Sequence, residues 1–429
     1  MDFTGKKLLI LGSDYGTYDL AREAKKLGLY VIAADLMETS PTKETADEAW
    51  MVSTTDLETL EKKILEEKVD GIVTGASEFN TENCRALCKK LHMPLYCESD
   101  EAWSVARNKS KFKKLCKECG VRVATDYYLT DELTDEQLDP VEYPVVVKPV
   151  DKSGNRGMSY CHNREELIQA YKYARSISDN PTIVVERQLV GANLGSYYVL
   201  AEGEASLCFY TSSYHNPGEL GNLYSLECMT PCDLKTYLAE VDEGIRKVFK
   251  KAGCREGVAW AEYMLDQDGH IYALEMGYRM AGPGLYPLYQ MITGFNTMRW
   301  QIECALGVKH QVSDLPHVIP AFSDCAASYN LFSNCEGVID HIEGLEEFEQ
   351  DPSFVLDIPK RAGGTVRYHA NVGVVKIHAE NAEELCEKVR RVNRDLKILD
   401  KDGKNMFICF DSFEDVMADY ARGQKDFSL

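Results

Sequence analysis

Residues 6–97 alternate short apolar runs with amphipathic stretches, and this alternation constrains the fold more than any other feature. Lys7–Ile10 is an apolar run of strand length. Asp19–Leu27 sets Leu20, Ala21, Ala24 and Leu27 on one helical face, and Gly28 closes it. Leu29–Ala34 predicts a second strand, ending at Asp35. Thr55-x-x-Glu58 reads as a capping box for a helix over Leu57–Glu67. Gly71–Thr74, Thr81–Leu91 and Pro94–Cys97 continue as strand, helix and short strand. Repeated strand–helix–strand units predict a doubly wound parallel sheet.

The remaining chain mixes both periods, so the expected class is a multidomain α/β and α+β protein. Three units are expected: 1–98, 99–310 with a lid over about 121–190, and 311–429. At 429 residues there is room for them. Charged residues make up 27% and the net charge is −21, which argues against nucleic acid or an anionic membrane as a partner. No apolar run reaches the roughly 18 residues of a membrane span. The opening MDFTGKKLLILGSDYG lacks the pattern of a secretory signal, so the expected location is cytoplasmic. The 15 cysteines contain one CxxC, Cys116 and Cys119, and no second pair at zinc spacing. Reduced, mostly buried thiols are expected.

Three loops and strands carry candidate chemistry. Gly12-Ser13-Asp14-Tyr15-Gly16 follows the first strand and opens a helix. It is not the G-x-G-x-x-G of dinucleotide binders. Gly12 and Ser13 form either a plain strand-to-helix turn or a pocket wall receiving a substrate carboxylate or phosphate. Asp35 reads equally as a turn residue or a ribose ligand.

Val145-Val146-Val147-Lys148-Pro149 places a lysine at the end of a buried strand. Ser153, Gly154, Asn155, Arg156 and Gly157 follow as a loop able to cover a polyphosphate with backbone N–H groups and a guanidinium. The competing reading is a surface hairpin with a snorkelling lysine.

Gly257–Asp266 and His270–Met276 predict two strands joined at Asp268-Gly269. A two-residue turn there sets Gln267 against His270 and Glu262 against Glu275. Opposed carboxylates repel, so the pair calls for a cation or a shared proton. Oxygen ligands beside phosphate select Mg2+ or Mn2+. Strand alternation puts Gly277 and Arg279 on the face of Glu275. The alternative is two solvent-exposed glutamates on an edge hairpin.

In this order the motifs resemble the ATP-grasp superfamily across residues 5–310. They are a strand–helix–strand pre-ATP unit, Asn108-Lys109, YPVVVKPVDKSGNRGM, VVERQLVGANLGS and GVAWAEYMLDQDGHIYALEMGYR. The last is similar to the paired metal-ligand strands of biotin carboxylase, carbamoyl-phosphate synthetase and the L-amino-acid ligases. The resemblance implies ATP and Mg2+ (or Mn2+). Lys109 and Lys148 would bind the phosphates, with Ser153, Gly154, Arg156 and Gly157 over them. Glu186, Gln188 and Leu189 would line the adenine and ribose pocket. Asn193 stands where many members carry an acidic hinge residue. Glu262 and Glu275 would hold the metal, and Arg279 would be the catalytic arginine.

The family pattern Glu-x-Asn-x-Arg appears here as Glu275-Met276-Gly277-Tyr278-Arg279. Water or phosphate would take the missing coordination position, or the second metal would be held more weakly. The implied activity is carboxylate–amine ligation through an acyl phosphate, on small-molecule substrates. The alternatives are a bicarbonate-activating or carbamoyl-phosphate-type enzyme, and a silent nucleotide-binding protein. Arg361 reads as a substrate-closing arginine or an exposed turn residue. His215, with Asn216, reads as a nucleotide or acceptor contact or as ordinary loop. The resemblance also suggests a homodimer.

Overall fold

The computed structural model describes residues 2–428, except 151–156, 217–222, 283, 360 and 361. The first sheet has four parallel strands in the order Glu48–Met51, Tyr30–Asp35, Lys7–Leu11, Gly71–Thr74. Alternate residues of Lys7–Leu11 face opposite layers. Leu8 and Ile10 pack with Leu20, Ala21 and Ala24, whereas Leu9 and Leu11 pack with Leu60, Ile64 and Leu87. Helices therefore cover both faces, as the alternation predicts.

Three local readings need correction. Pro94–Cys97 is not a strand; the fourth strand is Glu48–Met51, where only Trp50 is buried, too little alternation to register as a pattern. Asp56, not Thr55, caps the helix Leu57–Glu67, its carboxylate accepting from Thr59 N–H at 3.1 Å. The sequence pattern over Asp233–Lys251 predicts one helix, but the chain breaks it at Val241 into Leu234–Glu240 and Asp242–Ala252.

A second sheet has the order Asp126–Tyr127, Ile183–Arg187, Val145–Pro149, Ser159–Cys161 and is packed by the helix Arg164–Ile177. Asn163 caps that helix by accepting from Glu166 N–H at 3.0 Å. Val145, Val147 and Val185 face the helix, which leaves Lys148 and Glu186 on the opposite face.

The largest sheet has eight strands and takes them from both sides of residue 310. Its order begins Ile271–Gly277, Gly257–Asp266, Gly191–Ala201, Glu204–Tyr214. It continues Leu226–Met229, Cys325–Phe332, Asn371–Ala379, Phe354–Asp357. One face, with Tyr198, Tyr210, Ala261 and Tyr263, is buried under the helices Asp100–Arg107, Lys109–Glu118 and Asp242–Ala252. The other turns toward the N-terminal sheet. It is apolar at Tyr197, Phe209 and Trp260, and polar along the cross-strand row Asn193, Ser213, Glu227, Ser328, Lys376. Lys376 pairs with Asp19 across that junction, both fully buried. Among the described residues no helix is long and apolar enough to cross a membrane. Twelve of the 15 cysteines are buried, Cys116 among them.

Candidate functional site

Glu262 and Glu275 are cross-strand partners, but not through the turn expected from sequence. Asp266 N–H donates to His270 O at 3.0 Å, so the loop has three residues, with Gly269 at φ +79°. That shifts the ladder by one residue: Leu265 pairs with Ile271, Met264 with Tyr272, and Tyr263 with Ala273. A bulge at Leu274 restores the register, and Glu262 meets Glu275. Burial, the charge of Glu275 and the charge of Glu227 all push the Glu262 carboxyl upward. The pair is a partly buried concentration of negative charge, and it faces a cleft of about 380 Å³.

Cations stand at the rim. Lys109, first residue of Lys109–Glu118, brings its Nζ to 2.5 Å from Glu275 Oε2. Arg279 lies over the Trp260 ring, 5.0 Å from its centroid, and donates to Met280 O at 2.8 Å. Asp14, Tyr15, Ser77 and Tyr224 line the opposite wall. Burial pushes the Asp14 carboxyl up to about 6, against hydrogen bonds from Asn80, Ser77 and Ala76.

A second charged group lies on the four-stranded sheet that contains Val145–Pro149 and Ile183–Arg187. Glu186 pairs with both Lys148 and Lys113, and Lys113 also reaches Asp126 at 2.6 Å. Burial alone would raise the Glu186 carboxyl, but the two ammonium groups outweigh it and hold it below its ordinary range. Lys109 also feels the charge of Glu186, and so links the two groups.

The structure thus brings together Lys109, Glu262, Glu275 and Arg279, and separately Lys148 with Glu186. Gln188 follows the strand Ile183–Arg187, its N–H bonded to Pro144 O at 2.9 Å and its side-chain oxygen buried without a partner. Leu189 beside it is half-buried. Asn193 Nδ2 is 3.0 Å from His215 Nε2, so those two candidates meet each other. Gly157, at φ +81°, packs on Pro149 and Ile177. Ser153, Gly154, Arg156 and Arg361 lie outside the described residues.

Gly12 and Ser13 do not line the cleft; Asp14 and Tyr15 of the same loop do. Gly12 N–H bonds Ala34 O at 2.9 Å, and the Ser13 hydroxyl is tied to Asp35 and to Ser40 at 2.8 Å. Asp35 is taken up by Ser13, Met37 N–H and Lys43 at 2.9 Å, leaving no free ribose ligand. Sequence reasoning also passed over Lys113, Tyr224 and Trp260. Lys113 carried a signal, since it stands one helical turn beyond Lys109.

Among the described residues no three His, Cys, Asp or Glu side chains are grouped to hold a metal. Glu262 and Glu275 therefore offer two hard oxygen donors, and a cation there must take its other ligands from a bound anion or water. That set fits Mg2+, which uses one or two carboxylates beside phosphate oxygens.

Residues 108–312 match the family model described as the carbamoyl-phosphate synthase L chain, ATP binding domain. A formate-dependent phosphoribosylglycinamide formyltransferase of Prochlorococcus marinus is 31% identical over 176 residues, 40% of this chain and 44% of that one. The chain thus spans less than half the length of that relative. The 2-oxoglutarate carboxylase small subunit of Hydrogenobacter thermophilus is 25% identical over 72% of this chain and 68% of its own. Among solved structures, an L-amino acid ligase from Bacillus licheniformis superposes with TM-score 0.70 at 19% identity, covering 92% of this chain and 98% of that one. Motif order and family match agree over residues 108–312, which are similar to the ATP binding domain of the ATP-grasp enzymes, and the solved structure shares the fold.

Proposed function

We propose that the protein is an ATP- and Mg2+-dependent ligase that activates a small carboxylate as an acyl phosphate and joins it to an amine. The observation that carries this reading is the meeting of Glu262, Glu275, Lys109 and Arg279 at one cleft. Lys109 and Lys148, with Ser153, Gly154, Arg156 and Gly157, hold the phosphates of ATP. Glu186, Gln188, Leu189 and Asn193 border the nucleotide. Glu262 and Glu275 would hold Mg2+, which would supply neutralisation of phosphate charge for phosphoryl transfer.

A carboxylate oxygen of the donor attacks the γ-phosphorus and ADP departs. The amine nitrogen then attacks the acyl carbon and phosphate leaves. Arg279 stabilises the charge on the transferring phosphoryl group and on the tetrahedral oxyanion. Asp14, on the facing wall with a carboxyl near 6, takes the proton released by the attacking amine. Substrate contact by His215 and Arg361 is part of the same proposal. Two small-molecule substrates, a cytoplasmic location, a homodimer and the division into 1–98, 99–310 and 311–429 belong to the same proposal.

The test is ADP release across pairs of organic acids and amines, with hydroxylamine as a trapping amine. A hydroxamate formed with an organic acid is the expected result. The match to a carboxylase subunit over 338 residues favours bicarbonate as a second reading. ADP release with bicarbonate alone, and with no organic acid, would replace the first reading by the second.

A further inference from the structure

Trp260 and Gly277 are cross-strand partners next to the glutamate pair. A Cβ built on Gly277 would lie 2.2 Å from Trp260 Cε2 and 2.5 Å from its Nε1, far inside any real contact. Gly277 has no left-handed φ, so its backbone does not require glycine. What requires it is the indole, which fills the space a side chain at 277 would take. Trp260 is 6% exposed, its Nε1 has no hydrogen-bond partner, and its ring borders the cleft on both sides of Arg279.

Arg279 shares this cleft with Glu262, Glu275 and Asp14, yet among the described residues it forms no ion pair with any of them. A guanidinium beside three carboxylates collapses onto one unless something else holds it. The aromatic face beneath it supplies that hold, since the negative face of an indole attracts a guanidinium.

We propose that Trp260 is a positioning residue: it is the platform that keeps Arg279 off Glu262 and Glu275, so that the guanidinium does not compete with a divalent cation for their oxygens. Gly277 exists to admit the indole. The inference rests on the metal-binding role of the two glutamates proposed above, and it deepens that role.

The probe is Mn2+ with ADP, followed by the loss of free-Mn2+ resonance signal. Trp260→Leu removes the aromatic face, and Arg279 falls onto the glutamates. The apparent Kd for Mn2+ rises about tenfold, the weight of a partly desolvated cation–π contact. Trp260→Phe keeps a ring and stays within about twofold of the wild type. The decisive variant is Trp260→Leu combined with Arg279→Ala, in which Mn2+ affinity returns because the competing guanidinium is gone. Simple damage to the sheet would not be rescued this way. Unchanged affinity in Trp260→Leu, or no rescue in the double variant, overturns the platform. If the wild type binds no Mn2+ with ADP, the metal reading itself fails. A crystal structure of Trp260→Leu then decides the platform alone. Arg279 paired with Glu262 or Asp14 upholds it, and Arg279 unmoved overturns it.

Discussion

Two carboxylate sites lie on strands in this molecule, one buried at a strand end and one partly buried within a hairpin, and they have been treated oppositely. At the C-terminal edge of the parallel sheet, Asp35 is fully occupied by Ser13, Met37 N–H and the buried ammonium of Lys43. At the hairpin, Glu262 and Glu275 face each other with one partly exposed lysine between them and solvent. The first site satisfies its charge internally and is scaffold. The second sets two repelling carboxylates against a single lysine, a charge that a bound cation or a shared proton must balance. What distinguishes them is the state of satisfaction.

The contrast is sharpest in variants. Glu275→Gln should lower ADP release about a thousandfold, by loss of a metal ligand. It should leave the thermal midpoint level or raised, because one of two repelling carboxylates is gone. Asp35→Ala should do the reverse. It strands a buried ammonium and costs about 3 kcal/mol in urea unfolding, while turnover per folded molecule is kept. If Glu275→Gln unfolds the protein and Asp35→Ala does not, the distinction between the sites is lost.

Glu227 tests the middle of the sheet. Burial pushes its carboxyl up to about 7, while hydrogen bonds from Tyr197 at 2.5 Å and Thr211 at 2.8 Å pull it back. The folded state therefore holds this proton more tightly than the unfolded chain. Its contribution is complete below the ordinary carboxylate range and is lost as pH rises through about 7. Glu227→Gln cannot ionise, so the variant should keep stability, on the order of 2 kcal/mol, that the wild type loses between pH 5 and 8. Thermal melts across that range check it; parallel pH slopes in both proteins would refute it.

The smallest effect is expected at Glu186 and its two lysines. Lys113→Met leaves Glu186 with Lys148 alone, which draws that ammonium closer to the glutamate and away from phosphate. ADP affinity measured by calorimetry should weaken about five- to tenfold. No change would mean that Lys113 serves Asp126 only.

Legibility in the sequence followed the range of the interaction. The helix over Leu57–Glu67 and the strand Gly257–Asp266 were read correctly because their periods are local. The glutamate pair was also read, but through a two-residue turn. The molecule uses a three-residue loop and a bulge at Leu274, and the two departures cancel. Asp14 was missed although its loop was singled out, because sequence cannot say which residue of a tight turn faces a cleft.

By itself, then, the sequence determined the parallel sheet, the order of the motifs and the opposed carboxylates, since strand and helix periods and short loops are written in neighbouring residues. Only the tertiary structure decided which charges are neutralised. Lys376 reaches Asp19 across 357 positions, Lys113 meets Glu186 across 73, and Trp260 excludes any side chain at 277. Such pairings depend on which surfaces are pressed together with water expelled, and no local pattern encodes that.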